Sequence, residues 1–164
     1  MNMHLIDKVI LKDELISRLK KELQDLTQAA KEAHLAAVHE ENKAEDKHDT
    51  RGIEASYLAG AQAQRVKEIK EIMDDYSAFR WPSYSSDDAI DLGALVELSY
   101  ESKRSFYLLM NKGGGVSVMA SFGPVLVVTP HSPLGEALIA KKITETVEVE
   151  VQRKTREYEV VSIF

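Results

Sequence analysis

The chain has no cysteine, so it holds no disulfide and no thiolate metal site. It also lacks any apolar run near the roughly 20 residues that span a bilayer. Its N-terminus, Met-Asn-Met-His-Leu-Ile-Asp-Lys, has no signal-peptide layout. A protein of the reducing cytosol, away from membranes, is the expectation. Basic excess is missing too: the formal net charge is −6. That argues against independent binding of nucleic acid through a cationic surface. Aromatic residues are sparse at 7%, which argues against a dense aromatic ligand pocket. What remains is 164 residues, 44% apolar and 29% charged. That is enough for one ordinary domain, or for a helical hairpin with a small domain attached.

Two heptad seams fill the first half. Ile16, Leu19, Leu23, Leu26, Ala30, Ala33 and Ala37 recur at alternating spacings of three and four. Ala55, Ala59, Gln62, Val66, Ile69, Met73 and Tyr76 do the same. Folding the chain back at residue 46 sets Ile16 against Tyr76, Leu23 against Ile69 and Ala37 against Ala55. The pattern predicts an antiparallel two-helix coiled-coil hairpin over residues 1–80, with Met1–Leu11 as a lead-in near its base. Large side chains lie at the base and alanines towards the tip, so the far end should be slender. From about Lys12 to the tip is roughly 50 Å at about 1.5 Å per residue.

The tip is the acidic stretch Glu40–Asp49. Between Lys12 and Arg80 there are 15 Asp/Glu and 12 Lys/Arg. Glu40, Glu41, Glu45, Asp46 and Asp49 are five of those acids, and Lys43 and Lys47 two of those bases. The remaining shaft is neutral, and the excess negative charge sits at the tip. For any one acid the plain reading is a solvated cap, as for Asp49 at the start of the second helix. For the cluster as a group, a functional role is the better reading.

Trp81–Asp88 breaks the helical period with proline and polar residues, and reads as a linker. From residue 89 to 164 the pattern is one of short strands: Leu95–Tyr100, Ser105–Met110, Val116–Ala120 and Val125–Thr129, punctuated by Gly113-Gly114-Gly115 and Gly123-Pro124. The glycine run lacks the setting of a phosphate loop and reads as a turn. A short helix over about Pro133–Ala140 starts from a Ser132 cap. Then Val147, Val149 and Val151 alternate with Glu148 and Glu150, and Tyr158, Val160 and Ile163 return. The predicted class is α+β: the hairpin, then a small antiparallel β domain with one helix.

Lys21-Glu22-Leu23, the acidic tip, Arg65-Val66-Lys67-Glu68-Ile69 and above all Ser132-Pro133-Leu134-Gly135-Glu136-Ala137-Leu138-Ile139-Ala140-Lys141-Lys142 carry a resemblance. Most of the chain resembles the Gre transcript cleavage and elongation factors of bacterial RNA polymerase. The resemblance implies an FKBP-like C-terminal domain that docks at the rim of the polymerase secondary channel. It implies a coiled coil that threads the channel, where two tip acids help hold a Mg²⁺ shared with the polymerase active site. The accessory factor is then no enzyme itself, and it meets the backtracked RNA 3′ end indirectly. A monomer with no membrane partner is expected.

The family's tip reads Asp, apolar, Ser, Glu, Asn. Counting forward from Glu22-Leu23 places its acids on Asp46 and Asp49; counting backward from Arg65 gives Glu45 and His48. Lys47, His48 and Thr50 depart from the pattern, and Asp49 is shorter than Glu. The family's rim contact falls on His131, Ser132 and Pro133. Three functions follow as alternatives: a cleavage factor, a secondary-channel regulator or inhibitor without cleavage, and a stand-alone peptidyl-prolyl isomerase. Fold analogy alone is poor warrant for the last.

Overall fold

The computed structural model describes residues 8–41, 51–151 and 153–164. Helices α1 (Lys8–Glu41) and α2 (Arg51–Ala78) come first. Strands β1 (Leu95–Tyr100), β2 (Lys103–Leu109), β3 (Ser117–Ala120) and β4 (Gly123–Val128) follow, then helix α3 (Pro133–Leu138) and strands β5 (Thr146–Val151) and β6 (Lys154–Ile163). Two compact units result. One is Ile16–Ser77; the other is Ala78–Phe164 together with the chain up to Leu15.

In the helical unit, α1 and α2 run antiparallel. Glu22 and Arg65 touch at 2.8 Å. Glu22 lies about 28 Å from the end of α1 and Arg65 about 21 Å from the start of α2, at 1.5 Å per residue. A parallel pair would need the connection to span about 50 Å, and ten residues reach at most about 36 Å. Leu19, Ile69, Ile72 and Tyr76 are buried, whereas Leu23, Leu26 and Val66 are half-buried and Ala30, Ala33 and Ala59 exposed. Packing is therefore tight at one end of the pair and thin along the alanines, as side-chain volume dictates.

Residues 8–11 differ from the expected lead-in: they are the first turn of α1. Leu11 and Leu15 are buried, while Ile16 is only half-buried. Up to Leu15 the helix belongs to the C-terminal unit, so it buries a stripe set by that unit and not by the coiled-coil seam. Lys8 fastens this turn. Its Nζ donates to the carbonyls of Gly93 at 3.0 Å and Phe164 at 2.9 Å, and sits 4.8 Å above the Tyr84 ring.

The C-terminal unit is a six-stranded sheet ordered β3-β4-β2-β1-β6-β5. It departs from the all-antiparallel expectation at one place: β2 and β4 pair in parallel, Phe106 against Val125 and Leu108 against Val127. The reason is the order of the edge. β3 lies outside β4, so the chain must pass β4 before hairpinning back. Gly113–Gly115 carry that passage, with φ of +83° at Gly113 and +87° at Gly115, and Val127 N donates to Val116 O. The glycine run is thus a crossover turn.

Alternation gives the sheet two faces. On one, Val96, Leu98, Leu109, Val128, Val147, Val149, Tyr158 and Val160 form a core with Ile90 and with Leu138 of α3. Leu95, Leu108 and Val125 are buried on the other. Among the described residues no helix is long and apolar enough to cross a membrane.

Candidate functional site

The expected tip residues Glu45, Asp46 and Asp49 lie outside the described residues. The helices that flank them in sequence are described: α1 ends at Glu41 and α2 begins at Arg51. Below them, the two sequence motifs of the helices prove to be partners. Arg65 donates from Nε to Glu22 Oε1 at 2.8 Å, brings Nη2 to the same oxygen at 2.8 Å, and reaches Glu68 at 3.5 Å. Arg18 joins Glu22 at 3.5 Å. The hydrogen bond that Arg65 donates to Glu22 holds its guanidinium above its ordinary pKa. Two charge-assisted contacts converging on one carboxylate oxygen tie the two helices together at this level. Lys21-Glu22-Leu23 and Arg65–Ile69 were each legible as motifs; their pairing needed the register.

The second candidate segment, His131-Ser132-Pro133, enters α3. Here the three residues separate by role. Ser132 is structural: its backbone is extended at φ −82°, ψ 150°, and its Oγ accepts from Gly135 N at 3.1 Å. The same hydroxyl donates to Thr129 O at 2.8 Å, and Ser132 N donates there at 2.9 Å. Its hydrogen-bonding capacity is spent inside the turn. Pro133 occupies the first helical position, where its missing N–H costs nothing. His131 and Pro133 are both exposed. They are the residues of this segment free to meet a partner.

Gly135 explains why the turn has this sequence. A Cβ there would lie 2.0 Å from Thr129 O and 3.0 Å from Ser132 Oγ. The helix therefore starts hard against the end of β4. Its other end is equally fixed: Ala140 N donates to Ile90 O and Ile90 N to Lys141 O, both at 2.8 Å, with Ala140 in the left-handed region at φ 64°. The Ser-Pro-Leu-Gly motif thus positions an exposed His131–Pro133 corner on a rigid support.

Two features were missed from sequence. Glu97 is 1% exposed in the middle of β1, paired with Arg104 at 2.7 Å. Its second oxygen has no hydrogen-bond partner among the described residues. The register of a hairpin would have found this pair, since Ser99 opposes Arg104 and Glu97 is the next residue on that face. The tyrosines are the other. Tyr100 and Tyr158 stack at 5.3 Å between centroids, and Arg156 lies 5.5 Å from the Tyr100 ring. Burial raises the Tyr107 phenol above its usual pKa, with Tyr158 adding to the effect. Few aromatics in the chain did not prevent three of them from gathering. Among the described residues, no group of three or more His, Asp or Glu is arranged to hold a metal.

Comparison with known proteins places this unit. The family model described as transcription elongation factor GreA/GreB, C-terminal, matches residues 85–164. Among solved structures, GreA factor homolog 1 (Gfh1) of Thermus thermophilus is similar at 21% identity, over 91% of this chain and 94% of that one, with a TM-score of 0.38. Thermus aquaticus Gfh1 is similar at 20% identity, over 90% and 92%, with a TM-score of 0.38. A GreA/GreB elongation factor from Nitrosomonas europaea is similar at 11% identity, over 66% and 88%, with a TM-score of 0.35. No curated protein sequence matches the chain.

Proposed function

Since residues 85–164 belong to the GreA/GreB transcription elongation factor family, we propose that this chain is an accessory factor that enters the RNA polymerase secondary channel and promotes cleavage of backtracked RNA. The observation that carries the reading is the combination within one chain. A C-terminal unit of the family with an exposed His131–Pro133 corner accompanies an antiparallel helix pair whose helices are joined in sequence by residues 42–50. Those nine residues contain Glu45, Asp46 and Asp49.

The chemistry asked of the acids is modest. Asp46 and Asp49, with Glu45 as the alternate, would hold a Mg²⁺ shared with the polymerase. Carboxylate oxygens are the donors this ion prefers. When bound, the ion supplies charge stabilisation to the attacking and leaving oxygens of a phosphodiester. This chain's own part is to carry the carboxylates there on a helix pair held in register by Arg65 and Glu22. The neutral shaft suits passage through a protein channel, because it adds no net repulsion along the way. His131 and Pro133 would meet the rim of the channel while Ser132 and Gly135 hold their shape.

A second reading is favoured by Lys47, which stands between the two acids. Its ammonium competes for the same carboxylates as the ion. In that reading the chain occupies the channel and alters initiation or pausing without cleavage. One experiment separates them. A backtracked elongation complex is incubated with Mg²⁺ and the protein. Shortened RNA with the wild type, and little with Asp46→Ala/Asp49→Ala, supports cleavage. Inhibited synthesis without shortened RNA supports occupancy. No effect on either, at saturating protein, rejects both.

A further inference from the structure

We propose that Lys8 is a modification site whose ε-amine takes a small acyl group from an acyl phosphate, and that the change unfastens the first turn of α1 from Gly93 and Phe164. This site is separate from the polymerase reading and does not depend on it. Lys8 is half-buried, and its Nζ meets two backbone carbonyls, Gly93 O at 3.0 Å and Phe164 O at 2.9 Å. The centre of the Tyr84 ring lies 4.8 Å away. Tyr84 is itself held, its hydroxyl donating to Leu92 O at 2.9 Å. These partners are neutral, and the first turn of α1 holds no acid. The start of a helix also disfavours a positive charge.

An ammonium in this setting gives up its proton readily. Burial lowers Lys8 from 10.5 to about 8. At about pH 7.5 roughly a quarter of the amine is then neutral, against about one part in a thousand for an ordinary lysine. The neutral amine keeps two N–H groups, one for each carbonyl, and its lone pair is left for reaction. That pair attacks the acyl carbon, the bond from this carbon to the phosphate oxygen breaks, and phosphate leaves with the electrons. The surplus amine proton passes to solvent. Lys12 stands one turn along the same helix face and favours an anionic donor over an uncharged one. The amide that results has no charge and a single N–H for two carbonyls, and its own oxygen adds a third acceptor. One of the two bonds to Gly93 and Phe164 must be given up.

The test is mass spectrometry of the full chain after timed exposure to acetyl phosphate at a series of pH values. A less basic amine is less nucleophilic and half-burial slows encounter, so only part of the gain in neutral amine survives. At about pH 7.5 Lys8 should still be acetylated about tenfold faster than the exposed Lys70 and Lys103. Its rate should level off above about pH 8.5, while theirs keep climbing. In concentrated urea the preference should vanish. Equal rates in the folded chain, a Lys8 rate that climbs as the others do, or a preference that survives urea would overturn the site. The acetylated chain should melt a few degrees below the untreated one. Lys8→Arg, which keeps a cation and escapes acylation, should melt at the same temperature before and after treatment. An acetylated Lys8 with no loss of melting temperature would overturn the release of α1.

Discussion

The helical unit and the sheet unit are stabilised by opposite means. In the sheet unit the turns at Ser85–Asp88, Gly113–Val116, Thr129–Ser132 and Lys142–Glu145 are each closed by a hydrogen bond, and Leu95, Leu98, Leu108 and Leu138 are wholly inaccessible. In the helix pair, burial stops after Leu19 and Ile69, and from Gln28 to Ala36 every residue is exposed. Ordering a residue costs about 1–2 kcal/mol of backbone entropy, and alanine on an exposed helix offers little burial in return. The thin half is therefore held by helix propensity, by the Arg65–Glu22 ion pair and by side-chain pairs such as Gln28 with Glu32 at 2.7 Å. The lesson is one of division: one unit invests in rigidity, the other in reach.

Glycine replacement breaks the comparison most visibly, because the same change should act with opposite sign in the two units. Gly135→Ala forces a Cβ to within 2.0 Å of Thr129 O and should destabilise the sheet unit by upwards of about 3 kcal/mol, read by thermal unfolding. Arg104→Ala comes next. It leaves the Glu97 carboxylate buried without a cation, at a cost of about 2–3 kcal/mol by denaturant titration. Glu97→Gln in the same background should recover part of that loss. Ser132→Ala removes the α3 cap and should cost about 1 kcal/mol. It should also weaken polymerase binding less than His131→Ala if Ser132 acts only through the turn.

In the helix pair the sign reverses. A Cβ on Gly60 meets nothing within 4 Å, so Gly60→Ala should stabilise α2 by up to about 1 kcal/mol, measured as helicity by circular dichroism. A test of a different kind is a pH slope. Burial pulls the Lys8 ammonium down from 10.5 to about 8, so between pH 8 and pH 10.5 the unfolded chain binds more protons than the folded one. Stability should therefore rise with pH across that window as far as Lys8 is concerned. Lys8→Met should flatten the slope.

Much of this division was legible in the residues. The seams of Leu19–Leu26 and Val66–Tyr76 gave the helix pair, and the strand at Leu95–Tyr100 fell where its apolar run ended. The Ser132-Pro133 start of α3 followed from cap chemistry. What was not legible is where non-local pairing decides. The parallel β2–β4 pair cannot be read from either strand alone, because both runs look alike whichever way they pair. Leu11 reads as the end of a lead-in, and Leu15 falls just outside a heptad count that stops at Ile16, while the burial of both is set by the other unit. For the candidate site, the cap role of Ser132 was visible, but its isolation from exposed His131 and Pro133 was not. That separation depends on Thr129 O, which local sequence does not announce as the acceptor. Asp46, Asp49 and Glu45 rest on counting along the helices from Glu22 and Arg65.

The most direct measurement is where residue 46 goes. A photoreactive amino acid placed at position 46, in a complex of the full chain with a backtracked polymerase, should crosslink to the RNA 3′ end or to the catalytic centre beside it. Crosslinks confined to the outer surface of the polymerase, or to this chain's own sheet, would contradict the account.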